Sequence, residues 1–256
     1  QLPFQLPLGR CAPLFIRRHA LESASRPRRS GTGTAGVTLF GVLISGFATG
    51  LFDTNCYLLA AATNGPALVV DPGEDTVGTL EYYFAANDWT PAAVLLTHGH
   101  HGHSAAAYDL CAGWDIPVYL HRADRPLLAA GEFGEPDRVV EIDDGQLLRP
   151  AGIEVAVDLI GGHTPGSVAY RVRGGDDSGP VSVVFSGDTL LRRAVGHDCD
   201  APGAESGPAD LAELVAAIGA KLMVLHDDTV VLPGHGGATS IGAERRANPH
   251  LKDLTA

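Results

Sequence analysis

The sequence predicts a layered α/β fold, and three observations predict it. From Val37 to Leu120, short apolar runs alternate with longer segments of helical character, the order that stacks helices on a sheet. From Ile153 onward the chain repeats that order, strand-rich first and helical later. Several of the strand-like runs end in glycine-rich turns that carry histidine or aspartate, and strand-end loops are where α/β proteins usually place their chemistry.

Each element follows from local character. Val37 to Phe47 and Cys56 to Ala62 read as strands, with Asp53-Thr54-Asn55 as the turn between them. Ala67 to Val70 is a short buried strand closed by Asp71-Pro72-Gly73. Thr76 to Asn87 reads as a helix, Ala92 to Leu96 as a strand, Ser104 to Trp114 as a helix, and Ile116 to Leu120 as a strand. Residues 122–150, with Gly131, Gly134, Pro136 and Gly145, are expected to be a loop-rich excursion. Strands resume at Ile153 to Ile160, Val168 to Arg173 and Val181 to Phe185, the last two joined by a hairpin turn over Gly174 to Pro180. Asp210 to Gly219 places Leu211, Leu214, Val215 and Ile218 on one helical face. Thr229 to Leu232 is a strand and Ser240 to Ala247 a short helix.

Bulk composition narrows the function. The 256 residues suffice for one large domain, and 45% apolar residues suffice for its core. No uninterrupted apolar run approaches the roughly 20 residues that span a bilayer, so no membrane partner is expected. A net charge of −12 argues against nucleic acid. Cys11, Cys56, Cys111 and Cys199 form no Cys-x-x-Cys pair, which fits a reduced, cytoplasmic protein. Residues 1–36 differ from the rest: six arginines, one acid (Glu22), four prolines and a Gly-Thr-Gly-Thr run. They are expected to be a disordered or non-native extension, with a targeting segment as the alternative. The folded domain is expected to occupy residues 37–256.

The chemistry is concentrated in Thr97-His98-Gly99-His100-His101-Gly102-His103. An apolar strand ending in clustered imidazoles puts several neutral nitrogen donors at one sheet edge, which is the chemistry of a metal site. Three later turns share the pattern: Gly161-Gly162-His163-Thr164-Pro165-Gly166, Ser186-Gly187-Asp188-Thr189 and Pro233-Gly234-His235-Gly236. Taken alone, His163 or His235 reads as a hydrogen-bonded loop histidine and Asp188 as a turn residue. In this order, together with the histidine cluster, they read as ligands.

These motifs resemble the metallo-β-lactamase fold superfamily over about residues 40–250. The tail Thr239-Ser240-Ile241-Gly242-Ala243-Glu244-Arg245-Arg246-Ala247-Asn248-Pro249 is similar to the glyoxalase II branch, the hydroxyacyl-thiol thioester hydrolases. Asp53-Thr54-Asn55-Cys56-Tyr57 and Val70-Asp71-Pro72-Gly73 fit the same branch. The resemblance implies a four-layer αβ/βα sandwich with two zinc ions, iron or manganese being alternatives, between two β-sheets at their common edge. It implies that His98, His100 and His163 hold the first metal, that His103 and His235 hold the second, and that Asp188 bridges both. Asp71 would orient the ligands, and Arg245 and Lys252 would meet the anionic thiol carrier of a small thioester substrate.

Two departures qualify that picture. The family pattern is His-x-His-x-Asp-His, and its aspartate binds the second metal; here that position is Gly102. The second site is therefore expected to be weakened, with His101 one residue out of place to compensate. Related enzymes carry Gly-Arg where this chain has Gly196-His197. The leading expectation is a metal-dependent thioester hydrolase. The alternatives are a mononuclear iron enzyme of the persulfide dioxygenase type, using His98, His163 and Asp188, and a degenerate member that binds metal poorly.

Overall fold

A computed structural model describes residues 37–39, 42–131, 134–176, 179–196 and 211–252. The expected extension over 1–36, and His197, lie outside these residues. The first sheet has seven strands in sequential order: β1 (Val37–Leu39), β2 (Val42–Thr49), β3 (Thr54–Ala60), β4 (Gly65–Val70), β5 (Trp89–Leu95), β6 (Val118–His121) and β7 (Val139–Ile142). β1 to β4 pair antiparallel, and β4 to β7 pair parallel. The second sheet has the order β15-β14-β11-β10-β9-β8, built from β8 (Leu147–Leu148), β9 (Val155–Leu159), β10 (Val168–Asp176), β11 (Gly179–Gly187), β14 (Val230–Pro233) and β15 (Thr239–Ser240). β12 (Leu190–Leu191) and β13 (Ala194–Val195) form a separate small hairpin.

Period-two alternation along the central strands sorts side chains into three cores, which define four layers. On β3, Cys56, Leu58 and Ala60 face the outer helices α1 (Val77–Asn87) and α3 (Ala107–Trp114), with Leu80, Phe84, Leu110 and Cys111. Tyr57 and Leu59, on its other face, meet Val155, Val157, Tyr170 and Phe185 of the second sheet. The far side of that sheet, with Ala169, Val184 and Val231, is covered by Leu214 and Ile218 of α5 (Leu211–Lys221) and Ile241 of α6 (Ile241–Ala247). The four-layer αβ/βα arrangement is thus present. Both α1 and α3 stop at an aspartate in the left-handed conformation, Asp88 and Asp115, whose N–H groups close onto Phe84 and Cys111 carbonyls.

The structure corrects several element boundaries. Val37 to Phe47 is not one strand but two, since Val37 pairs with Ile44 and Leu39 with Val42. The expected helix from Ser104 is split into α2 (His101–Ser104) and α3, because the Ala106 N–H donates to the Pro72 carbonyl at 3.0 Å and leaves the helical ladder. Residues 122–150 are more ordered than expected. They contain a 3-10 turn (Arg122–Asp124), α4 (Arg125–Ala129) and β7, which pairs with β6 and completes the first sheet. The β10–β11 hairpin also runs further than expected, to the pair Asp176–Gly179.

Candidate metal centre

The sequence places its polar residues just beyond the ends of strands from both sheets. Asp71 follows β4, His98 follows β5, His163 follows β9, and His235 follows β14; Asp188 follows β11. Backbone and side-chain bonds between the sheets bring these ends together. Val168 N–H donates to Thr97 O at 2.8 Å, and Tyr170 Oη donates to Leu96 O at 2.8 Å. On the opposite side, Asn55 N–H donates to Gly234 O at 2.7 Å, and its side-chain amide donates to Pro233 O and Gly236 O. Tyr57 Oη also donates to Pro233 O. The Asp53-Thr54-Asn55-Cys56-Tyr57 motif therefore serves to hold the His235 turn.

Partners on the outer side of each ring fix which nitrogen faces inward. Thr97 Oγ1 donates to Asp71 Oδ2 at 2.7 Å, so it accepts from His98 Nδ1 at 3.1 Å, and His98 Nε2 faces the centre. His163 Nδ1 donates to Gly196 O at 3.2 Å, and His235 Nδ1 donates to Phe52 O at 3.0 Å. His103 Nδ1 donates to Asp71 Oδ2 at 3.1 Å. His100 turns the opposite way, its Nδ1 lying 3.1 Å from His163 Nε2. Asp188 Oδ2 lies 3.3 Å from His235 Nε2, 3.4 Å from His103 Nε2 and 3.9 Å from His163 Nε2.

All six side chains expected as ligands therefore converge. Donor atoms of His98, His100 and His163 lie within 4.8 Å of one another, and so do those of His98, His103 and Asp188. Among the described residues, His98 Nε2, His103 Nε2 and Asp188 Oδ1 are buried without a hydrogen-bond partner. His103 Nε2 feels the Asp188 charge at 3.4 Å but is off hydrogen-bond geometry. Buried polar atoms left unpaired are costly, and here they point at a common centre. A cation of the zinc or iron type suits this nitrogen-rich donor set.

Electrostatics separate the ligands into two kinds. Burial holds His98 well below the ordinary imidazole range, and the His103 and His163 charges add to the effect. Burial, with His163 and His103, pushes His100 down to about 4, and burial also lowers His163. These three rings are neutral donors at pH 7. Burial alone would lower His103, but Asp188 and Asp71 outweigh it and push it up to about 10. Burial would raise Asp188, but His103, His235 and His98 hold it well below the usual carboxylate range. In the metal-free protein, His103 is therefore expected to be an imidazolium at pH 7.5 while His98 and His100 are neutral. Because its folded value is raised, the stability it contributes is complete below about 6.5 and is lost as pH rises through about 10. Nitrogen-15 NMR of the imidazoles reads this directly, and a neutral His103 at pH 7.5 contradicts it.

His101 lies apart from this cluster. It is half exposed, with Nε2 3.5 Å from Glu74 Oε1. It borders a cleft of about 560 Å³ with Glu74, Asp75, Thr76 and Asp109, and none of the six converging residues lines that cleft. Around Gly102 there is room, since a Cβ there would meet only Thr54 Oγ1, at 3.5 Å. Thr54 in turn forms a backbone β-bridge with His235. Arg245 is used inside the fold: it pairs with Asp227 and donates to the Met223 and Leu225 carbonyls. Glu244 is fully buried and accepts from Arg193 N–H, Thr239 Oγ1 and Asn248 Nδ2. Much of the C-terminal motif thus clamps α6 to the β12–β13 hairpin. Lys252 is exposed at the end of the described chain. Sequence reasoning missed Asp124, a fully buried carboxylate between the histidine loops.

Imidazoles and a carboxylate gathered where two packed sheets meet define a metal-binding class of α/β sandwich. A family model described as the metallo-beta-lactamase superfamily matches residues 49–235, and the chain belongs to that superfamily. A probable metallo-hydrolase of Bacillus subtilis is 31% identical over 80% of this chain and 96% of its own length. A hydroxyacylglutathione hydrolase of Haemophilus influenzae is 29% identical over 78% of this chain and 93% of its own. Among solved structures, TTHA1623 in a di-iron-bound form is 33% identical, with a TM-score of 0.62 over 80% of this chain and 98% of that one. ETHE1 from Myxococcus xanthus is 26% identical, with a TM-score of 0.64 over 80% and 83%.

Proposed function

We propose that this protein hydrolyses hydroxyacyl-thiol thioesters at a two-metal centre. The observation that carries the reading is the inward convergence of buried imidazole nitrogens on Asp188, with three buried polar atoms unpaired. His98, His100 and His163 would hold one ion, and His103 and His235 the other, with Asp188 shared. A bound divalent ion supplies Lewis acidity and an acidified water near neutral pH.

The chain's own residues do the rest. Its histidine neighbours hold Asp188 ionised, so it would serve as a carboxylate ligand shared by two ions rather than as a proton donor. Asp71 accepts from Thr97 N–H at 2.8 Å, from Thr97 Oγ1 and from His103, and so locks the orientation of two ligand rings at once. A thiolate leaves without a strong general acid, and neither Asp71 nor Asp188, both engaged as acceptors, is placed to be one. The relative named hydroxyacylglutathione hydrolase supports this substrate class. Protein reloaded separately with zinc, iron and manganese is expected to release free thiol from a hydroxyacyl-glutathione thioester, and a chelator is expected to stop it. No thiol release in any metal form contradicts the proposal. A second reading, a mononuclear iron oxygenase acting on persulfides, draws on Gly102 in place of the second-metal carboxylate and on the likeness to the ETHE1 structure. Oxygen uptake with a persulfide, without thioester cleavage, would favour it.

Gly102 sets a further expectation. A Cβ at position 102 meets only Thr54 Oγ1, at 3.5 Å, so Gly102→Asp has room and restores the carboxylate of the family pattern. It is expected to raise affinity for the second metal by about tenfold or more. A titration with unchanged affinity and stoichiometry would show that Gly102 is not the weak point of the site.

A further inference from the structure

We infer that Asp124 is a positioning residue that pins the two halves of the first metal triad together. His98 and His100 come from the loop after β5 in the first sheet, and His163 comes from the loop between β9 and β10 in the second. Asp124 stands between these loops, fully buried, at the end of the 3-10 turn that follows β6. Its Oδ2 accepts from Gly99 N–H at 2.9 Å, on the residue between His98 and His100. The same oxygen accepts from Thr164 Oγ1 at 2.6 Å, next to His163, and Oδ1 accepts from Gly166 N–H at 2.6 Å. One carboxylate therefore grips both ligand loops.

Sterics agree with this role. A Cβ at Gly99 would lie 2.7 Å from Asp124 O, and a Cβ at Gly166 would lie 2.6 Å from Asp124 Oδ1. Both glycines are thus explained by the approach of Asp124. Asp124 precedes α4 but makes no side-chain cap bond to it. Its hydrogen-bonding capacity is directed at the ligand loops. Across this pin, His100 Nδ1 and His163 Nε2 meet at 3.1 Å. Loosening the pin frees those two nitrogens to separate, and the first ion loses its preset ligand geometry.

The inference rests on the metal-centre reading but not on the thioester. Its test therefore reads metal directly. Wild-type full chain, Asp124→Asn and Thr164→Val are compared by competition titration of zinc against a chromogenic chelator, and by the visible spectrum of the cobalt-loaded forms. Asp124→Asn keeps the shape but puts an amide donor against N–H donors. It is expected to weaken the tighter zinc site by about 10- to 100-fold and to change the cobalt spectrum. Thr164→Val removes one of the three bonds and is expected to show a smaller loss of the same kind, which Thr164→Ser restores. Melting in chelator gives the purely structural effect, and Asp227→Ala, which breaks a distant ion pair, is expected to lower melting without moving zinc affinity. A folded Asp124→Asn with unchanged affinity and spectrum overturns the inference while the metal centre stands. If Asp124→Asn does not fold, Thr164→Val decides alone: unchanged affinity overturns the inference. A wild-type chain that binds no zinc or cobalt overturns both.

Discussion

Asp188→Ala is expected to lower metal-dependent turnover by about 10²- to 10³-fold or more, the scale seen when one preorganised electrostatic group leaves an active site. Three imidazole nitrogens lie within 3.9 Å of its Oδ2, and its Oδ1 is buried without a partner. Removing the carboxylate takes away the negative charge set among the converging histidine nitrogens, so two cations would face each other unshielded. Metal content should fall with activity, which distinguishes this variant from one that merely misplaces substrate. Wild-type kcat/KM in Asp188→Ala, or full metal content with no activity loss, would remove Asp188 from the centre.

Gly234→Ala is expected to be nearly as damaging, although it adds only a methyl group. The new Cβ would lie 2.2 Å from Asp188 Oδ1 and 2.6 Å from His103 Cε1. The backbone has little freedom to retreat, since Gly234 N–H donates to Gly187 O at 2.8 Å and Gly234 O accepts from Asn55 N–H at 2.7 Å. Asp188 or His103 must move. Overpacking of this kind costs about 1–3 kcal/mol of stability, and it falls on two ligands at once. A lower melting temperature with loss of metal is the expected result. A Gly234→Ala variant that loads metal and melts as wild type would contradict the packing described.

The site was more legible in the sequence than the scaffold around it. His98, His100, His103, His163, Asp188 and His235 stand in short strand-end motifs that read as ligands, and their grouping into one centre came from the family resemblance that those motifs carry. Boundaries set by tertiary bonds were not legible. Nothing local marks the break at Ala106, because its cause is the carbonyl of Pro72 far back in the chain. β7 is short and half exposed, so Val139-Val140-Glu141-Ile142 gave little pattern to read. Asp124 sits in Arg-Ala-Asp-Arg-Pro, which reads as an ordinary helix start; its role appears only when both loops are folded against it. Arg245 shows the opposite limit. A resemblance suggests substrate contact, yet its guanidinium is occupied by Asp227 and two carbonyls. The positions of Gly99 and Gly166 likewise became intelligible only from the carboxylate that fills the space beside them.

The most direct test of the central claim is the number of transition-metal ions bound per chain, counted by elemental analysis after saturation and again after graded chelation. Two ions at saturation, one of them removed much more readily, is the expected result of a complete first triad and a second site lacking a carboxylate at Gly102. A saturated protein that holds no ion would contradict the metal centre, and one that holds a single ion under every condition would contradict its two-metal form.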